Sequence, residues 1–336
     1  MILEANEKNF RPFHHAFRVL YNSYYNGVGE KYPRPQRGLL TRPSRAEVTA
    51  YRQNVDARMQ RPLGRELPPD LVALVELGLR HEQQHQELIV TDVLHMLSMN
   101  PLLPAYQPNA NVPLLNGPLA WHDFAGGVVP VGHDGGGFCF NNELPRHWPF
   151  LEPYQLASRL VTNAEYLAFV ANGEYNEPSL WLSEDWEFVR TKQLLQPLYW
   201  HCQDGHWRVF SLNGLADLQA DAPVLNVSDF EASAYAQWAN ARLPTEAEWE
   251  HAVLNNPGLD RMFGLAWQWT SSAYAPYPGF NAAAGAIAEY NGKSMANQYV
   301  LRGASLATPS GHSRPTYRNF FPATARWQFS GIRLTR

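Results

Sequence analysis

LVALVELGLRHEQQHQELIVTDVLHMLSM, residues Leu71–Met99, is the stretch on which the fold turns. Pro68-Pro69-Asp70 precedes it, and a fixed φ followed by an acidic residue suits the first turn of a helix. Its first half is apolar at Leu71, Leu74, Val75, Leu77 and Leu79, and its second half opens on the polar run HEQQHQE, residues 81–87. An apolar helix that turns polar midway fits a bundle that buries a polar site. At 3.6 residues per turn, His81 and His85 share one face, one turn apart, within reach of a single ion. Imidazole suits iron, zinc, copper and nickel, and a His pair with no cysteine nearby is compatible with non-haem iron. Gln84 sits at the rim of the same face, and Glu87 can orient a ligand from behind. The same spacing also arises by chance on ordinary surface helices. His95 lies about 15 Å further along the axis, too far to join the pair. Two imidazoles do not complete a site that normally takes three protein ligands.

Outward from that helix the chain divides in texture. On the N-terminal side, Ala16 to Gly29 carries apolar and aromatic residues at helical spacing, and Ser44 with Glu47 forms a capping box for a helix to about Met59. With Leu71–Met99 this predicts three bundle helices within residues 1–105. Five prolines in residues 100–121 mark a linker, taken as 106–123. From residue 124 to 336, Gly-rich turns, short apolar stretches and aromatics dominate, interrupted by helices at Asn163–Asn172 and Ser228–Ala241. That pattern reads as an irregular α+β domain.

Composition excludes several classes of function. The 336 residues are 45% hydrophobic and only 17% charged, so a large core is available and extensive disorder is not expected. A net charge of −4 with no long basic run argues against nucleic-acid binding. Two cysteines, Cys139 and Cys202, exclude a disulfide framework and point to a reducing, cytoplasmic setting. The N-terminal MILEANEKNFRPFHHAF is too polar for a signal peptide, and no apolar run reaches the roughly 18 residues of a membrane helix.

A series of short motifs then carries a resemblance: NSYYNGVGE (Asn22–Glu30), RPQRGLLTRP (Arg34–Pro43), HEQQHQEL (His81–Leu88), FNNELPRH (Phe140–His147), RLPTEAEWE (Arg242–Glu250), WQWTSS (Trp267–Ser272), LRGAS (Leu301–Ser305), YRNFF (Tyr317–Phe321) and RWQFSGIRL (Arg326–Leu334). Their order and number resemble the iron(II)-dependent sulfoxide synthases of ergothioneine biosynthesis, over nearly the whole chain. The resemblance implies an α+β protein with two parts. One is an N-terminal DinB-like helix bundle, here with three of the usual four helices. The other is a domain like the formylglycine-generating enzyme, with a C-type-lectin-like fold. It implies a reaction in which Fe(II), dioxygen, the trimethylated histidine hercynine, and cysteine or γ-glutamylcysteine give a C–S bond and a sulfoxide.

Residue by residue, the resemblance implies that His81 and His85 are metal ligands and Gln84 a polar contact to hercynine. Tyr24 and Tyr25 match active-site tyrosines of the branch that accepts free cysteine, whose phenols can donate a proton. Arg34 and Arg37 are candidates to hold the thiol substrate's carboxylate. Trp327 and Phe329 are candidates to cover the cleft or face the trimethylammonium group. The chain lacks the segment, reading roughly His-Leu-x-His-Thr, in which the family carries its third ligand. The expectation is a sequence that starts at an internal methionine of a longer protein, the alternative being a short chain with an incomplete metal site. Other readings are an ovothiol-type synthase acting on histidine, an inactive ligand-binding member, and a formylglycine-generating enzyme. The last needs a cysteine pair that segments around Cys139 and Cys202 do not resemble.

Overall fold

Local capping signals decide where most helices begin. In the computed structural model, which describes residues 2–22, 25–27, 29–108, 113–115, 117–282 and 292–336, Ser44 Oγ accepts from the amide of Glu47. The Glu47 carboxylate in turn accepts from the Ser44 amide at 2.7 Å. Helix α3 (Arg45–Leu63) follows from this box, and α4 (Pro69–Ser98) starts with proline at its first position. Two short helices precede them, α1 (Ile2–Asn6) and α2 (Phe17–Leu20). Of the stretch Ala16–Gly29 expected to be helical, the described residues form a single helical turn, and two long helices rather than three stand in this region among the described residues. The cause is local. Asn22 donates from Nδ2 to the carbonyls of Tyr25, Gly29 and Glu30 and accepts from the Tyr25 amide, which offers the backbone a loop in place of a helix.

The chain forms two compact units. The first comprises Met1–His81 with Asn281–Ser294, the second Glu82–Phe280 with Met295–Arg336. In the first, Phe17 is buried edge-on to Tyr51 (5.1 Å between ring centroids), and Tyr21 stacks on Tyr51 at 5.6 Å. An Arg58–Glu7 ion pair ties α3 to the chain after α1.

The second unit contains the C-terminal half of α4 and, among the described residues, the sheets. Strands β1 (Trp121–Phe124) and β4 (Tyr154–Ala157) pair antiparallel, as do β2 (Gly127–Val128) and β3 (Phe150–Leu151). Strands β5 (Trp200–Gln203), β6 (His206–Ser211) and β7 (Gly214–Asp217) form an antiparallel meander. The central sheet has the order β10 (Asn319–Phe321), β9 (Tyr299–Ala304), β8 (Ala266–Ala273), β11 (Ser330–Gly331); only the β11–β8 pair is parallel. Helices α5 (Asn163–Ala171), α6 (Ser183–Lys192), α7 (Asp229–Trp238) and α8 (Glu246–Asn255) surround these strands in sequence. The expected helices at Asn163–Asn172 and Ser228–Ala241 are α5 and α7, within a few residues.

Trp249, Trp267 and Trp269 are buried at the centre of this unit. Gly303, at φ +97°, faces Trp267 across the β8–β9 ladder; a Cβ there would lie 2.5 Å from the Met262 carbonyl oxygen, so only glycine fits. Helices α5, α7 and α8 each open with a capping box whose glutamate also pairs with an arginine: Glu165 with Arg159, Glu231 with Arg326, Glu248 with Arg242. One carboxylate thus accepts from the N-cap amide of its helix and from a guanidinium, while the Ser or Thr hydroxyl takes the other amide of the box.

Asp229, the first residue of α7, is buried, and its Oδ1 has no hydrogen-bond partner among the described residues. Burial, and then the Asp185 carboxylate, hold it well above the usual carboxylate range. A raised pKa means the folded chain binds this proton more tightly than the unfolded chain, so stability present below the unfolded value near pH 4 is lost as pH rises. Asp229→Asn removes that loss. Melting curves are expected to coincide with the parent's near pH 4 and to lie roughly 3–6 °C higher at pH 8, equivalent to about 1–2 kcal/mol. A variant less stable than the parent at pH 8 contradicts the assignment.

Candidate active site

Residues Gln84, Glu87, Thr91 and Leu94 recur at intervals of three and four on α4, so they share one face. That face packs on the rest of the second unit. Leu94 joins Tyr199, Phe210 and Phe329 in an apolar cluster, and Thr91 is fully buried. Further up the same face the contacts become polar. Gln84 Nε2 donates to the Tyr317 hydroxyl at 2.7 Å. Glu87 accepts three hydrogen bonds: from Trp267 Nε1 at 2.6 Å, Ser305 Oγ at 2.5 Å and Thr308 Oγ1 at 2.9 Å. Beside them, His312 Nδ1 lies 3.0 Å from Gln83 Oε1.

Tyr317 is held by a buried ionic frame. Arg302, fully buried on β9, donates to the carbonyl oxygens of Pro315 and Tyr317 at 3.1 and 3.0 Å. Its other nitrogen donates to Glu250 Oε2 at 2.5 Å, and Arg318 binds Glu246 with both arms at 2.8 and 2.9 Å. Burial works against the charge on Arg302, but Tyr277, Glu250 and Glu246 hold it firmly protonated. Burial also raises the Tyr317 phenol, so it is a neutral hydrogen-bonding group at physiological pH. The Tyr317 ring stacks on Trp267 at 5.5 Å and meets His312 edge-on at 5.1 Å.

The residues singled out in the sequence fall as follows. His81 and His85 lie on one continuous helix, one turn and about 6 Å of rise apart; His81 is half-buried and His85 exposed. Tyr25 is half-buried in the loop that Asn22 organises, whereas Tyr24 lies outside the described residues. Arg34 and Arg37 belong to one 3-10 turn, Arg34–Leu39. Arg37 Nη2 is buried without a hydrogen-bond partner among the described residues. Trp327 is partly exposed, edge-on to Phe321. Phe329 differs from Trp327 in its surroundings. It is buried among Leu94, Tyr199 and Phe210, so its ring packs the foot of α4 and has no open face for a ligand.

The two imidazoles are a suitable donor type for ferrous iron. Among the described residues, however, no group of three or more His, Cys, Asp or Glu side chains is placed to hold a metal. The fit to iron is partial. Cys139 and Cys202 are free thiols, and burial, reinforced by Glu143, pushes the Cys139 thiol up to about 11. A reactive thiol pair is thus not formed by them.

Trp267, Ser305 and Tyr317 lie in the motifs WQWTSS, LRGAS and YRNFF, yet neither composition nor spacing marks them as site residues. A different signal was available: each is a polar or amphipathic residue inside a strand (Trp267), at its exit (Ser305) or just before one (Tyr317), where it needs a buried partner.

Comparison with known proteins agrees with this architecture. Residues 124–254 and 253–336 match the Sulfatase-modifying factor enzyme 1-like domain. The hercynine oxygenase of Mycolicibacterium smegmatis is 30% identical over 317 residues, covering 77% of this chain and 70% of that protein. That of Mycolicibacterium thermoresistibile is 28% identical, covering 95% of this chain and 80% of that protein. The formylglycine-generating enzyme of Streptomyces coelicolor is 33% identical, but over only 35% of this chain and 41% of its own. Both an N-terminal helical region and a sulfatase-modifying-factor-like sheet domain are present, and the chain belongs to the hercynine oxygenase family.

Proposed function

We propose that this protein is an iron(II)- and dioxygen-dependent sulfoxide synthase that joins hercynine to cysteine or γ-glutamylcysteine in ergothioneine biosynthesis. The observation that carries the reading is the His81–His85 pair on α4, a helix whose adjoining turn is fastened through Gln84 and Glu87 to the sulfatase-modifying-factor-like domain. Overall, one C–H and one S–H are lost, the C–S bond forms, one oxygen atom enters the sulfoxide and the other leaves as water. Iron(II), when bound, supplies the activation of dioxygen.

The remaining roles belong to the chain's own side chains. His81 and His85 hold the metal. Gln84 contacts hercynine. Tyr24 and Tyr25 donate a proton as water forms. Arg34 and Arg37 hold the thiol substrate's carboxylate, a role supported by the unsatisfied Arg37 Nη2. Trp327, with part of its ring open, faces the trimethylammonium group. In this reading α3 and α4 belong to a DinB-like bundle within residues 1–105, residues 106–123 form the linker, and residues 124–336 adopt the C-type-lectin-like fold. No helix among the described residues is long and apolar enough to cross a membrane, and a cytoplasmic setting is part of the proposal.

The test is anaerobic loading with iron(II), then hercynine, cysteine and oxygen, with mass spectrometry for hercynylcysteine sulfoxide. Product from hercynine but not from histidine supports the ergothioneine branch; product from histidine alone assigns the chain to the ovothiol branch instead. Parallel reactions with γ-glutamylcysteine identify the thiol donor. Absence of any sulfoxide overturns the proposal.

A further inference from the structure

Glu87 is an anomaly among the buried glutamates of the described residues. Glu143, Glu231, Glu246, Glu248 and Glu250 each face an arginine, respectively Arg314, Arg326, Arg318, Arg242 and Arg302. The hydrogen-bond donors that the structure gives Glu87 are instead an indole and two hydroxyls. Neutral donors orient a carboxylate without neutralising it, and a residue of Glu87's size on a face otherwise finished by Thr91 and Leu94 could be apolar at lower cost. The arrangement secures direction. Trp267 and Ser305 both approach Oε1, Thr308 approaches Oε2, and the donors come from strand β8 and the turn after β9.

The geometry closes on itself. Trp267, which donates to Glu87, stacks on Tyr317, and Tyr317 accepts from Gln84. Gln84 and Glu87 are three positions apart, so the path returns to the same helical turn, and His85 sits between its two ends. A helix packed only through apolar side chains can rotate slightly about its axis at small cost. One pinned at both ends of a single turn by directional hydrogen bonds cannot. We propose that Glu87 is a positioning residue: with Trp267 and Tyr317 it fixes the rotation of the α4 turn that presents Gln84 and His85, and thereby sets the affinity for the imidazole substrate. This inference rests on the role given above to Gln84.

The variants are Glu87→Gln, which keeps size and places an amide NH2 among hydrogen-bond donors, and Trp267→Phe, which keeps an aromatic ring against Tyr317 and deletes the indole donor. Steady-state kinetics with both substrates varied should show the KM for hercynine raised roughly tenfold or more in either variant, with the KM for cysteine unchanged. The double variant should lose less than the sum, because one path is cut twice. A purely structural defect instead lowers the active fraction, so kcat falls while both KM values stay; that result overturns the proposal. A second measurement needs neither metal nor turnover: amide hydrogen exchange read by mass spectrometry. Exchange over residues 82–88 should accelerate in Glu87→Gln while residues 91–98 keep their protection. Unchanged exchange over 82–88 also overturns the proposal. If the parent chain forms no sulfoxide, the reading of its reaction fails. The exchange data, with hercynine titrated into the metal-free chain, still decide the fate of Glu87.

Discussion

His85→Ala is expected to leave no detectable sulfoxide. His85 is exposed on a helix held from its opposite side by Gln84, Glu87, Thr91 and Leu94, so truncating it removes chemistry and spares packing. Stability should stay within about 0.5 kcal/mol of the parent, the usual range for a surface position outside the core. Activity should fall by at least 100-fold, roughly, since even the partners that orient a ligand are worth 10–100-fold and a ligand itself is worth more. The measurement pairs product detection by mass spectrometry with iron content after anaerobic loading. An alanine variant that turns over at the parent rate removes His85 from the site, and with it the present reading of α4.

The largest effect on stability should come from Glu250→Ala. This change leaves the Arg302 guanidinium, which has no exposed surface, without its nearest carboxylate; Glu246 stands further off at 3.6 Å. An uncompensated buried charge costs about 3–5 kcal/mol, which for a unit of this size lowers the melting temperature by roughly 6–20 °C. Arg302→Met alone has a similar effect, because it strands Glu250. The double variant Glu250→Leu, Arg302→Met should recover most of the lost stability, as apolar replacement of a whole buried pair is often neutral. It should not recover activity, because the Tyr317 carbonyl has lost the donor that fixes Tyr317 against Gln84. Thermal unfolding and product formation measured on all three variants separate these two consequences. A double variant both stable and fully active removes Arg302 from any part in placing Tyr317.

The same frame explains what the sequence could and could not reveal. Periodicity and capping located α3, α4 and α7, because those signals are local and each box closes within four residues. The sequence also gave up the His81–His85 pair, since helical spacing alone places two side chains on one face. The helix expected over Ala16–Gly29 failed because one side chain, Asn22, takes over the backbone hydrogen bonds, a competition that apolar spacing does not register. The surroundings of Phe329 were not legible for a different reason. An aromatic on a short terminal strand is equally suited to a cleft or a core, and only the docking of Leu94 decides between them. The partners of Glu87 were invisible because they lie more than 170 positions away in sequence. Motifs such as RLPTEAEWE, LRGAS and YRNFF appear separate along the chain, yet Glu250, Arg302 and Arg318 show them to be pieces of one buried charge network.

That distance in sequence has a consequence for biosynthesis. Thr308 is translated 221 positions after Glu87. At ordinary ribosome speeds the carboxylate waits roughly ten to forty-five seconds for its last donor. For the first half of that interval, until Tyr199 and Phe210 have been made, the Leu94 side of the helix lacks the partners it packs against. The nascent polypeptide therefore passes through a stage in which its most important helix is a ready substrate for chaperones, and synonymous codon changes that slow translation between residues 100 and 308 should lower the yield of folded protein without altering a single amino acid.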